Sequence, residues 1–157
     1  MKMVFSVCLL LCLILTPPAI AAQQPFQQGS LSAIETRYAE QPFLLVLWSI
    51  ECPPCRHELA LLGHLRQAGT AFNLVLVATD TITQQQTLNE ILTEHQLTQS
   101  DSWAFAEGSI EKLRYQIDPD WYGEMPRSYF YDAAHQRIGV SGKLNEQRIR
   151  QWLAGQP

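Results

Sequence analysis

Between Phe43 and Gly69 the sequence passes from a nearly continuous apolar run, FLLVLWSI, through CPPC, into RHELALLGHLRQAG. A run of that length suits a central strand covered on both faces. Pro53 and Pro54 fall only in the first turn of the next segment, where a missing N–H costs little. Apolar residues then recur at Leu59, Leu62 and Leu65 until Gly69. The stretch reads as a buried strand running directly into a helix, with Cys52 at the junction and Cys55 one turn on.

The flanking sequence repeats this alternation. LSAIETRYAE has helical spacing at Leu31, Ile34 and Tyr38, with Ser30 placed to cap it and Pro42 to stop it. After the Cys helix come a second buried strand, FNLVLVATD, a second helix, TQQQTLNEILTEHQL, and a shorter strand, SWAFAE. Strands alternating with helices imply a mainly parallel sheet. The rhythm then changes. SIEKLRYQI reads as a short helix, PRSYFYDAAHQRIGVSG as two strands joined by a turn at Asp132 to Gln136, and LNEQRIRQWLAG as a closing helix. The chain of 157 residues, 46% hydrophobic and 17% charged, has the make-up of one globular domain, and no repeat or low-complexity linker divides it.

The first residues stand apart. Lys2 precedes an apolar run from Val4 to Leu15, then Pro17-Pro18 and the small residues AIAA, the pattern of a cleaved secretory signal. The run is shorter than the ~20 residues a spanning helix needs. The expected division is a signal peptide over 1–22 and one domain over 23–157, placing the protein in the cell envelope or periplasm. Cys8 and Cys12 lie inside the apolar run and leave with it. Cys52 and Cys55 are then the remaining cysteines, in a compartment where thiols tend to be oxidised. With Lys2 removed, 10 basic residues stand against 15 acidic ones, a net charge of about −5. Neither nucleic acid nor an anionic membrane is an expected partner.

A thiol attacks as thiolate, with a reference pKa near ~8.5, so a working dithiol must stabilise the anion. Cys52, where strand ends and helix begins, can use the free N–H groups and dipole of the first helical turn. Cys55 can fold back on the same spot. A disulfide between them closes a very small loop and restrains the unfolded chain little, so it makes a poor structural staple. A tetrahedral zinc site needs four ligands, and no second cysteine pair supplies them. His57, His64, His95 and His135 are scattered over two helical patterns and a turn. No resident metal or soluble cofactor is expected. Two readings from other classes stay open: copper delivery through Cys52, Cys55 and His135, and a non-catalytic binding module.

The strand, the W-x-x-x-C-P-P-C pattern from Trp48 to Cys55, the helix, the strand–helix insertion, and MPRSYFYD with its hairpin and final helix together resemble the thioredoxin superfamily. Within it the chain is similar to the exported TlpA/ResA-like thiol–disulfide oxidoreductases. The resemblance spans nearly all of residues 23–157. It implies an α/β thioredoxin-like fold, with a central mixed sheet flanked by helices, a strand–helix insertion and a C-terminal hairpin plus helix. It implies Cys52 as exposed nucleophile, Cys55 as buried resolving thiol, and a cis bond at Met125-Pro126 facing the sulfurs. An X–Pro bond tolerates cis, and such a bend can present the Met125 backbone to an extended client. Glu58, six residues after Cys52, resembles a proton acceptor for Cys55. Trp48 and Trp121, with Tyr122 beside the latter, are further candidates for contact with a client.

The sequence departs from that pattern at three places. Glu51 stands where a second tryptophan is usual, Val46 where many relatives carry a buried polar residue, and Gly123 is one residue further from the proline. These departures bear on redox tuning. Bringing a thiol from ~8.5 to ~7 takes about 2 kcal/mol, within reach of a helix N-terminus; ~3.5 takes roughly 7 kcal/mol. Glu51 and Glu58 oppose the anion and Arg56 alone favours it, so a reducing protein is expected. The implied partners are client proteins with cysteines or disulfides and a membrane-embedded electron donor, with the protein itself a monomer.

Overall fold

The strand Phe43–Trp48 is buried along its whole length, and alternate residues serve opposite faces of the sheet. Leu44, Val46 and Trp48 join one core with Cys52, Cys55 and the inward face of the Cys helix. Phe43, Leu45 and Leu47 join a second core with Ile34, Leu113 and Ile117. Both faces therefore need helical cover, which is why the run carries no polar residue.

The structure is a computed structural model and describes residues 23–156; the leader expected over 1–22, with Cys8 and Cys12, lies outside the described residues. In chain order the elements are β1 (Gln24–Phe26), α1 (Ser30–Arg37), β2 (Phe43–Trp48), α2 (Pro53–Gln67), β3 (Asn73–Thr81), α3 (Gln85–Glu94), β4 (Asp101–Phe105), α4 (Ile110–Ile117), β5 (Arg127–Tyr131), β6 (Arg137–Ser141) and α5 (Glu146–Ala154). A single 3-10 turn, Ile82–Gln84, leads into α3. The six strands form one sheet in the order β1-β4-β3-β2-β5-β6. The first four of that order pair in parallel, whereas β5 runs antiparallel to both β2 and β6. The mixed sheet with helices on both faces is the fold class expected.

Three sequence expectations are corrected. β1 lies within QQPFQQGS, ahead of the first element expected from the sequence; at three residues it is too short to show a period, yet it pairs with β4 and buries Phe26 completely. Ser30 does not cap α1. Gly29 occupies the cap position with φ 89°, and the Ser30 hydroxyl accepts instead from the Gln27 amide at 2.9 Å, fixing the turn from β1. α1 also stops at Arg37, before the expected end at Glu40. The Asp132–Gln136 turn forms as expected: the Asp132 carboxylate accepts from the Ala134 and Gln136 amides, each at 2.9 Å.

Candidate active site

β2 ends at Trp48, and a turn in which the Cys52 amide donates to the Ser49 carbonyl at 3.3 Å delivers Cys52 to the head of α2. Cys52 is the N-cap, with Pro53 and Pro54 in the first turn. Its sulfur accepts from the Cys55 amide at 3.2 Å. The sulfur thus sits against one of the free donors that a helix start offers an anion. Cys52 and Cys55 are joined by a disulfide with Cα atoms 5.2 Å apart. Cys52 keeps 8% of its surface exposed and Cys55 1%, so an incoming thiol or disulfide can approach Cys52 and not Cys55.

Glu58 follows Cys55 by three residues and shares its face of α2, the spacing at which helical side chains are neighbours. It is 1% exposed. The Ser128 hydroxyl donates to its Oε1 at 2.9 Å, while its Oε2 has no hydrogen-bond partner. Burial pushes the carboxyl up to about 7, with the Ser128 hydroxyl and the Leu144 backbone pulling the other way. Glu58 is thus an enclosed acid and not a solvated one on the helix surface. Ser128 stands directly opposite Val46 in the β2–β5 ladder. The departure at Val46 therefore leaves the buried polar role to the Glu58–Ser128 pair.

Arg127 of β5 faces Leu47 of β2, so the residue before it, Pro126, reaches the end of the sheet from which β2 delivers Cys52. The Met125-Pro126 bond is cis, as the resemblance implies. Pro126 is buried, its carbonyl accepts from the Gly142 amide at 2.9 Å, and Met125 packs against both cores. Gly123 has φ 97°, and a Cβ there would run into the Arg114 guanidinium. Arg127 bonds Asp118 at 3.0 Å and Ser141 at 2.8 Å, and Tyr129 donates to Asp118 at 2.7 Å. The proline loop is tied down on both sides.

The two tryptophans sit elsewhere than a client-contacting role requires. Trp48 is wholly enclosed among the residues of the first core, so it supports the site from beneath and offers a client no surface. Trp121 is buried in the second core and donates to the Glu124 carbonyl at 2.9 Å, bracing the loop before the proline. Its neighbour Tyr122 is 88% exposed and is the aromatic that faces solvent there.

Arg56 is not free to serve the sulfurs. Its guanidinium pairs with Glu94 of α3 at 2.6 Å and approaches His95 Nε2 at 3.5 Å. His135 is remote: Tyr131 faces Phe43 at the far end of β2 from Trp48, so the turn carrying His135 lies about 16 Å along the strand from the cysteines. There its Nε2 meets the Tyr38 carbonyl at 3.0 Å and its ring packs edge-on to Phe43. The copper set of Cys52, Cys55 and His135 is not brought together. Among the described residues no group of three or more His, Cys, Asp or Glu side chains is placed to hold a metal ion.

Two features of the site were missed in the sequence. Ser128 is the one non-aromatic residue of the run SYFY, and its inward position in β5 could have signalled a buried polar partner. Asp80, near the end of β3, accepts from the Ile50 amide at 2.9 Å, two residues before Cys52. Nothing in its local sequence separates it from an ordinary strand-end aspartate.

No family model matches the sequence, and no curated protein matches it. Solved structures do. A secreted Mycobacterium tuberculosis disulfide oxidoreductase homologous to E. coli DsbE aligns with TM-score 0.60 at 20% identity, over 76% of this chain and 84% of that one. Mycobacterium tuberculosis DsbF, solved in mixed oxidised and reduced forms, aligns with TM-score 0.60 at 18% identity, over 76% and 83%. StoA from Bacillus subtilis aligns with TM-score 0.56 at 18% identity, over 87% and 99%. By these likenesses and its own sheet order the chain has the thioredoxin-like fold. Its own Cys52–Cys55 disulfide at the head of α2 has the spacing of a CXXC dithiol.

Proposed function

We propose that this protein is an exported thiol–disulfide oxidoreductase of the TlpA/ResA-like kind that reduces disulfides of client proteins. The observation that carries the reading is the asymmetry of the pair: an outward Cys52 at a helix start, bonded to an enclosed Cys55 with a buried, proton-binding Glu58 on the same helix face. In the cycle the Cys52 thiolate attacks a client disulfide, forming a mixed disulfide and releasing one client thiolate, which takes a proton from solvent. Cys55 then passes its proton to Glu58 Oε2 and attacks the Cys52 sulfur. The second client thiolate leaves, and the two electrons gained by the client are those lost by the dithiol.

The direction of electron flow follows from charge. Glu58 disfavours a second negative charge nearby, and Arg56, the one cation beside the pair in sequence, is matched by Glu94. Little remains beyond the helix start to stabilise a thiolate, which favours a reducing potential. With residues 1–22 as export signal, the site works in the cell envelope as a monomer. A membrane-embedded donor of electrons restores the dithiol there. Client segments bind extended along Met125 and Pro126, beside Tyr122.

A Cys55→Ser variant tests the cycle. It should accumulate clients bound through Cys52 and released by dithiothreitol, and mass spectrometry of the released proteins identifies them. A binding module without redox chemistry would accumulate none, and its wild-type dithiol would leave insulin unreduced.

A further inference from the structure

β3 and β4 run in register from Val75 opposite Asp101 to Ala78 opposite Ala104, and then slip, so that Thr81 faces Phe105. Thr79 and Asp80 are the extra residues of this irregularity. Bulges of this kind redirect side chains and recur beside active sites. Here both residues turn toward the segment that leaves β2. Asp80 Oδ2 accepts from the Ile50 amide at 2.9 Å, and the Thr79 hydroxyl donates to the Trp48 carbonyl at 3.5 Å. Ile50 and Glu51 are the central residues of the turn that the Cys52 amide closes on the Ser49 carbonyl. Asp80 therefore holds the middle of the one turn that sets where Cys52 stands.

We propose that Asp80 is a positioning residue of the dithiol site, fixing the Ser49–Cys52 turn through the Ile50 amide and so holding the Cys52 sulfur at the head of α2. The inference rests on the proposed dithiol chemistry for its functional consequence and on geometry alone for the positioning. Asp80 is half-buried. Burial raises its carboxyl above the usual range and Glu51, in the same turn, adds to the rise, while the Ile50 bond favours the ionised form. A carboxylate kept at this place beside a second acid has its ionised form stabilised by that amide, a charge-assisted bond stronger than a neutral one.

Three variants of the purified protein separate the outcomes, with Asp80→Ala removing the acceptor, Asp80→Ser leaving a hydroxyl one atom short of the amide, and Asp80→Asn restoring an acceptor without charge. In the oxidised protein, hydrogen exchange at the Ile50 amide should be about tenfold faster in Asp80→Ala and Asp80→Ser, while exchange at Leu76 within β3 stays as in wild type. The reduced variants should react with a small aromatic disulfide about five- to tenfold more slowly, and Asp80→Asn should recover both readouts to within about twofold. Unchanged Ile50 exchange in Asp80→Ala and Asp80→Ser would overturn the positioning role, and so would an Asp80→Asn variant as impaired as the alanine. A wild-type dithiol that reduces nothing would instead defeat the proposed function, leaving the exchange result to stand or fall by itself.

Discussion

A carboxyl enclosed as Glu58 is, with one oxygen bonded to Ser128 and the other unpartnered, resists ionising because the charged form loses its hydration without full replacement. Its folded-state value of about 7 lies above the ordinary 4.5, so the folded protein binds this proton more tightly than the unfolded chain. The sign follows directly. Glu58 costs nothing below about 4.5, and its cost grows as pH rises through about 7, reaching roughly 3 kcal/mol. Urea unfolding of Glu58→Gln and wild type should therefore give curves that part as pH rises from 5 to 8, with the variant relatively more stable at the alkaline end; a pH-independent difference contradicts the assignment. In the client-reduction assay the same variant should lose the inflection near pH 7 and about 10² in turnover. Cys52 and Cys55 were legible in the sequence, because two cysteines at this spacing before a helix have few uses, whereas the Met125-Pro126 cis bond was implied by resemblance alone. Ser128 was not legible, since its role declares itself only once β2 places Val46 opposite it and α2 brings Glu58 to its hydroxyl.

The α2–α3 crossing is the place where packing overrides propensity. Gly63 lies mid-helix, where alanine is intrinsically better by about 1 kcal/mol, yet a Cβ there would collide with the His95 carbonyl just past the end of α3. Gly63→Ala should destabilise the protein by about 1–3 kcal/mol in denaturant titration, because the obstacle is backbone and cannot swing aside. A gain in stability would show that α3 moves freely over α2. The helices themselves were plain from their spacing, and their ends were not. Ser30 reads as a cap by residue type, but the chain arriving from β1 turns through Gly29 and engages the hydroxyl elsewhere. The β3 irregularity left no sequence mark at all, since it depends on how the last residues of β4, Ala104 and Phe105, pair across from it.

For the molecule as a whole, the decisive arrangement is that β2 and β5, antiparallel neighbours in the centre of the sheet, bring Cys52 and Pro126 to one end while His135 goes to the other. Alternation of strands and helices pointed to parallel pairing, and the change of rhythm from Ser109 on marked a C-terminal hairpin. The resemblance implied a mixed sheet, but the pairing of β5 with β2, from Leu47 opposite Arg127 to Phe43 opposite Tyr131, was not read, because no local pattern encodes which strand a hairpin joins. The central claim concerns that shared end: Cys52 and Cys55 form a reversible, reducing dithiol. Its most direct test is equilibration of the purified protein in graded glutathione buffers, with the 52–55 bond followed by thiol labelling. A single two-electron transition at a midpoint more negative than about −180 mV is the expected result, and either no transition or one near ~−120 mV would contradict the account.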